Sequence, residues 1–191
     1  EVVNYQNRYD DRGRLLSVST SDGEGRPTGY ESYEYLSDGR YAITTYDVAH
    51  ETIEDIVTYD MNGQALTYES FMDFDENGTC DYYEKGFYAP GDVNPFTGET
   101  MWEECSETEI LYGDDGTVRE QWHFFYNAVH QRTDGVKTDA QGKIIETTTY
   151  SYHDNGKLKE YCVYDAKGTM FEQDTYDEQG ERLFRLYMSD W

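Results

Sequence analysis

Residues 164–170 read YDAKGTM, and the same phrase recurs on both sides of them. Downstream stands YDEQGERL (176–183), and upstream stand YHDNGKL (152–158), TDAQGKI (138–144) and YGDDGTV (112–118). Farther back come FDENGTC (74–80), YDMNGQAL (59–66), YLSDGRY (35–41), SDGEGRP (21–27) and YDDRGRL (9–15). Two more copies appear when histidine is allowed in the glycine slot: YDVAHETI with His50 and YNAVHQR with His130. Self-similarity at a short, regular spacing marks a repeat protein. Asp followed by Gly three residues later marks a type I turn. The Asp side chain caps its own backbone, and glycine takes the left-handed conformation that closes the loop. Histidine is enriched among the non-glycine residues found there. The residues between turns are rich in Tyr, Thr, Val, Ile and Phe, which is strand composition. Each copy is therefore one strand and one turn, and short uniform connections make neighbours antiparallel.

The expected fold is all-β: a meander of about twelve short hairpin repeats in a single domain over 1–191. A sheet of that many strands is expected to twist strongly or curl toward a barrel or a two-layer shell. The register follows from the turn. Tyr164 should face Met170 and Tyr152 should face Leu158, so that an aromatic–aliphatic pair clasps each hairpin. Residues 85–111, KGFYAPGDVNPFTGETMWEECSETEIL, break the phrase and read as an irregular insertion. Trp102, Tyr88 and Phe96 within it are candidate ligand-binding residues, because functional groups concentrate on long connections.

Composition limits the function. Forty acids against 15 bases leave a formal charge of −25. No nucleic acid is expected as a partner, since a phosphate backbone needs a basic surface. Leu, Ile, Val and Phe are scarce enough at this charge to warn of disorder. Twenty tyrosines supply the missing apolar area, each a large ring with a polar tip. Cys80, Cys105 and Cys162 form neither a disulfide framework nor a zinc motif. No apolar run is long enough for a membrane span. The chain begins at Glu1 without methionine, which fits either a removed leader or an arbitrary boundary.

Two acidic clusters are candidate metal sites, the first for calcium and the second for a divalent cation, and no other cofactor is expected. DFDENGTCDYYE, 73–84, places Asp73, Asp75, Asn77, Asp81 and Glu84 at the ligand positions of an EF-hand calcium loop, with Gly78 at its sharp turn. The competing reading is one more hairpin turn, because the repeat itself supplies Asp75, Asn77 and Gly78. The second cluster follows from the register. Tyr164 opposite Met170 would set Cys162 against Glu172 and Glu160 against Asp174. Opposed carboxylates must be solvated, protonated, paired with a base or bridged by a cation. Among Glu160, Glu172 and Asp174, a glycosidase-like pair is the enzymatic alternative. No catalytic constellation stands out otherwise, and the chain reads as a non-enzyme.

The phrase Y-D-x-x-G-x-L resembles the YD repeat of the RHS family, bacterial secreted and surface proteins built from repeated β-hairpins. YHDNGKLKEY also resembles the MORN-like repeats of bacterial antitoxin-type proteins. The resemblance covers most of the chain outside 85–111 and implies β-sheet architecture in a bacterial, extracytoplasmic setting. It transfers no catalytic residue. The expected function is a secreted or surface-bound binding or adhesion module with a protein or glycan partner. A carbohydrate-binding protein, with or without calcium, and an acidic inhibitor of a basic toxin-like partner are the alternatives.

Overall fold

A computed structural model describes residues 3–48, 51–94, 96–98 and 100–188. Fourteen strands follow one another. They are β1 (Asn4–Tyr9), β2 (Leu15–Ser21), β3 (Pro27–Tyr35), β4 (Tyr41–Asp47), β5 (Thr52–Tyr59), β6 (Ala65–Met72) and β7 (Tyr82–Val93). After these come β8 (Thr100–Tyr112), β9 (Val118–Tyr126), β10 (Arg132–Asp139), β11 (Ile144–Tyr152), β12 (Leu158–Asp165), β13 (Met170–Tyr176) and β14 (Arg182–Tyr187). Each lies beside its sequence neighbours in one antiparallel meander ordered β1 to β14. β1 borders only β2, and β14 borders only β13. The all-β antiparallel meander expected from the repeat is what forms, and among the described residues its two end strands do not pair with each other. The chain divides into two compact units, Glu1–Ser106 and Glu107–Trp191. Residues 85–111 are not irregular. They form most of a long hairpin, β7 and β8, whose strand character was masked by Pro90, Gly91 and the missing turn phrase.

The turns are made as their residues dictate. The Asp10 N–H donates to the Arg14 carbonyl at 2.9 Å, and the Gly13 N–H to the Asp10 carbonyl at 3.0 Å. Asp10 Oδ1 accepts the backbone N–H groups of Arg12 and Arg14, both at 2.9 Å. Asp22, Asp60, Asn127, Asp139, Asp165 and Asp177 repeat this double acceptance. The backbone N–H of Arg14, and then its guanidinium, hold the Asp10 carboxyl below its usual range. All the phrase glycines have positive φ, from 73° at Gly116 to 91° at Gly39. His130 occupies its slot at φ 61°, as its place in the repeat requires. His50 lies outside the described residues, and its neighbour Glu51 carries the positive φ, 56°.

One feature of the repeat is invisible in the phrase. Tyr164 does face Met170 and Tyr152 does face Leu158. One step farther from the turn the ladder skips a residue. Tyr9 pairs with Leu15 but Arg8 with Ser17, and Val163 pairs with Glu172. The bulged residue stands three past the left-handed slot: Leu16, Phe171 and, after Glu51, Glu54. A bulge adds local twist and re-aims side chains.

Burial is shallow on both faces. Tyr68, Ala89, Cys162 and Val163 are the buried apolar side chains. Among the described residues strands make backbone contact only with their sequence neighbours. Cohesion comes instead from side chains meeting across strands, each pair contributing about 0.2–1 kcal/mol. In the first unit Tyr35, Tyr41 and Tyr59 form a ladder, with centroids 6.1 and 5.1 Å apart. In the second, Arg132 lies 3.7 Å from the Phe124 ring centre and donates to the Tyr126 hydroxyl at 3.2 Å.

Candidate functional site

Several acids of the first unit are held by hydroxyl groups rather than by bases. Register places Glu31, Thr45, Asp55, Ser70 and Glu84 in one row across β3 to β7. Ser70 donates to Asp55. Glu84 receives the Tyr68 hydroxyl at 2.7 Å and the hydroxyl of Ser106. Beside this row Tyr33 donates to Glu31 at 2.8 Å, and Tyr88 to Glu104 at 3.0 Å. Tyr68 is buried, and its ring packs 5.5 Å from that of Tyr88. Burial first, and then the Glu31 carboxylate, push the Tyr33 phenol up to about 12. Burial also raises Tyr68 and Tyr88, helped by Glu84 and Glu104 respectively. These phenols are therefore protonated donors.

Asp55 and Ser70, in the middle of the row, also line a groove of about 710 Å³ formed where β5 starts, β6 ends and the β6–β7 connection passes. Its acidic lining includes Glu54, Asp55 and Asp73, and its apolar lining includes Ile53, Met72 and Phe74. Burial, followed by the charges of Asp47 and Asp55, raises the Glu54 carboxyl above its usual range. Reading the sequence did not single out this groove. Phe74, the aromatic residue that opens its turn phrase, is 66% exposed.

The stretch 73–84 is not a tight hairpin. Met72 pairs with Tyr82, leaving Asp73–Asp81 as the connection. Asp73 does the capping: its Oδ1 accepts Asn77 N–H at 3.1 Å and its Oδ2 accepts Gly78 N–H at 2.6 Å. Burial pushes the Asp73 carboxyl up, yet these N–H groups hold it below its ordinary value. Asp81 Oδ2 accepts the Phe74 N–H at 2.8 Å. Asp73, Asp75 and Asp81 bring carboxylate oxygens within 4.8 Å of one another. The other two expected ligands are engaged elsewhere. The Asn77 side-chain oxygen accepts the Thr79 N–H at 2.8 Å, and Glu84 serves Tyr68 and Ser106. The full EF-hand set does not converge. Millimolar calcium and magnesium should accordingly raise the melting temperature by the same small amount, through screening alone. A rise specific to calcium, abolished by Asp73→Asn, would instead make this loop a calcium site.

The second acidic cluster is dispersed by the bulge at Phe171. Cys162 faces Gln173, Tyr161 faces Asp174, and Glu160 faces Thr175. Alternation then puts Glu160 on the face opposite Glu172 and Asp174. Glu160 accepts from Gln173 Nε2 at 2.6 Å. Arg185 serves the other two, 3.0 Å from Glu172 and 3.7 Å from Asp174. Asp174 is buried, and its Oδ1 has no hydrogen-bond partner. The expected opposition of carboxylates is replaced by a pair of acids sharing a guanidinium.

The three candidates of the 85–111 segment have different surroundings. The Tyr88 phenol is committed to Glu104. Trp102 on β8 is 44% exposed, and Phe96, in the β7–β8 connection, is 95% exposed.

No family model matches the chain, and no curated protein does. Similar solved structures include a Bacteroides fragilis protein of unknown function, at 10% identity and TM-score 0.26, covering 69% of this chain and 87% of that one. A porin-like protein from Bacteroides uniformis matches at 15% identity and TM-score 0.23, over 95% of this chain and 86% of that one. The Photorhabdus luminescens Tc holotoxin pore matches at 8% identity and TM-score 0.20, over 97% of this chain. This chain spans 15% of that toxin chain. Likeness this slight assigns neither a family nor an activity.

Proposed function

We propose that the protein is a non-enzymatic, extracytoplasmic binding module whose acidic, tyrosine-rich sheet engages a basic protein partner. One observation carries this reading. Glu31, Asp55, Asp73, Glu84 and Glu104 of the first unit are held by phenols, hydroxyls and backbone N–H groups, which satisfy hydrogen bonds without cancelling charge. The surplus of −25 therefore projects a negative field from the sheet, and such a field steers and selects cationic partners.

Calorimetric titration with a lysine- and leucine-containing peptide tests it. Binding should be measurable at about 0.05 M salt and weaken tenfold or more at about 0.5 M, where the screening length falls to roughly 4 Å. A matched glutamate- and leucine-containing peptide should not bind. Failure of the basic peptide to bind at low salt, or indifference to salt, would overturn the reading. The exposed rings of Trp102 and Phe96 favour a glycan as the second reading. Salt-insensitive binding of a neutral oligosaccharide, lost in Trp102→Ala, would support it.

A further inference from the structure

We infer that the groove between the start of β5 and the β6–β7 connection seats a partner segment that presents a lysine or arginine beside an apolar side chain. This rests on the reading of the protein as a binder of basic partners and names where the partner docks. Size agrees: about 710 Å³ lies within the roughly 300–1,000 Å³ of pockets that bury small ligands. That space admits a few side chains rather than a whole protein face.

Its chemistry is two-sided. Glu54, Asp55 and Asp73 supply carboxylates, and no lysine, arginine or histidine lines the groove among the described residues. Ile53, Met72 and Phe74 are 37%, 38% and 66% exposed, an apolar strip beside those acids. A lysine or arginine fits both. Its alkyl stem covers apolar surface while its head reaches the carboxylates, and the Phe74 ring face can take the cation.

The groove is also built rather than incidental. Glu54 is the repeat bulge of this hairpin, the extra residue left when Thr45 pairs with Asp55 and Tyr46 with Ile53. At this hairpin the bulged position contributes a carboxyl to a cavity that Asp55 and Asp73 also line. Burial, and then the neighbouring charges of Asp47 and Asp55, hold the Glu54 carboxyl above its ordinary range. A bound cation offsets those charges. Opposite, Phe74 is held by its backbone N–H on Asp81, and the Asp73 cap orders the loop behind it.

The test uses the full chain and the same lysine- and leucine-containing peptide. Glu54→Gln and, separately, Phe74→Ser should each weaken binding about fivefold or more, roughly 1 kcal/mol. Asp114→Asn removes the same charge from an exposed turn in the other unit and should stay within about twofold of the parent. Circular dichroism melts establish that each variant is folded. If the parent binds while Glu54→Gln and Phe74→Ser bind equally well, the groove is not the seat, although the basic-partner reading stands. If the parent does not bind, that reading falls and the groove inference with it. If free spermidine binds the groove as tightly as the peptide, commitment to a protein segment is overturned.

Discussion

Gly86→Ala should destabilise the protein by about 3 kcal/mol, near the top of the range for overpacking. That corresponds to a melting temperature lower by roughly 6–12 °C for a chain of this length. A β-carbon on Gly86 would meet the carbonyl oxygen and carbon of Cys105, and it would stand 2.9 Å from the ring of Tyr68. Real β-carbons essentially never come within 3.0 Å of another heavy atom. Neither obstacle moves easily. The Cys105 carbonyl is backbone of the neighbouring strand β8, and Tyr68 is buried and tied to Glu84. Gly13→Ala is the control. Its φ of 75° is unfavourable to alanine, yet nothing lies within 4 Å of the added carbon. Strain alone should cost about 1–2 kcal/mol there. If the two variants melt together, the close approach at Gly86 is not tight and the account of this hairpin fails.

Raising the pH from 10 to 12 should unfold the first unit in a cooperative step. Burial and neighbouring carboxylates raise the native phenols of Tyr68 and Tyr88 above the ordinary value near 10, and take Tyr33 to about 12. Burial, the Tyr150 phenol and nearby acids likewise raise Tyr161 in the second unit. The native state binds these protons more tightly than the unfolded chain does. Their stabilising contribution is whole below pH 10, where both states are protonated. It declines as the unfolded phenols ionise, and it is lost as pH climbs through the native values. The limiting slope is about 1.4 kcal/mol per pH unit for each fully retained proton. Tyr68, the buried one, should approach that limit, and the half-exposed phenols less closely. Two such groups are enough to exhaust the ordinary 5–15 kcal/mol of a domain within a few pH units when others add to them. Phenolate absorbance should rise in two phases, the later one coinciding with loss of β-sheet circular dichroism. A single phase near pH 10 with the sheet intact would contradict the phenol–carboxylate row.

The local half of this structure was legible because its causes are local. Asp10 and Gly13 lie within one turn, and the bonds that close it join residues at most four apart. His130 was recognisable in a glycine slot for the same reason: the left-handed backbone there is set by the turn, and histidine tolerates it. Tyr164 opposite Met170 followed directly from that turn.

Beyond the first cross-strand pair, the sequence lost authority. The bulge at Phe171 inserts a single residue, and one residue is enough to send every following side chain to the other face. Glu160 and Asp174, opposed on paper, end on opposite faces for that reason. The connection Asp73–Asp81 carries the repeat phrase, yet it is not a tight turn, because Asp73 rather than Asp75 caps Gly78. Glu84 was assigned to that loop by spacing, and the adjacent strands claimed it for Tyr68 and Ser106. The groove joins Glu54 and Phe74, twenty residues apart on different hairpins. By itself the sequence determined a β-meander of Asp–Gly turns rich in tyrosine and acid. Tertiary structure decided which carboxylate meets which phenol, because that depends on register summed across strands, and each bulge changes the sum.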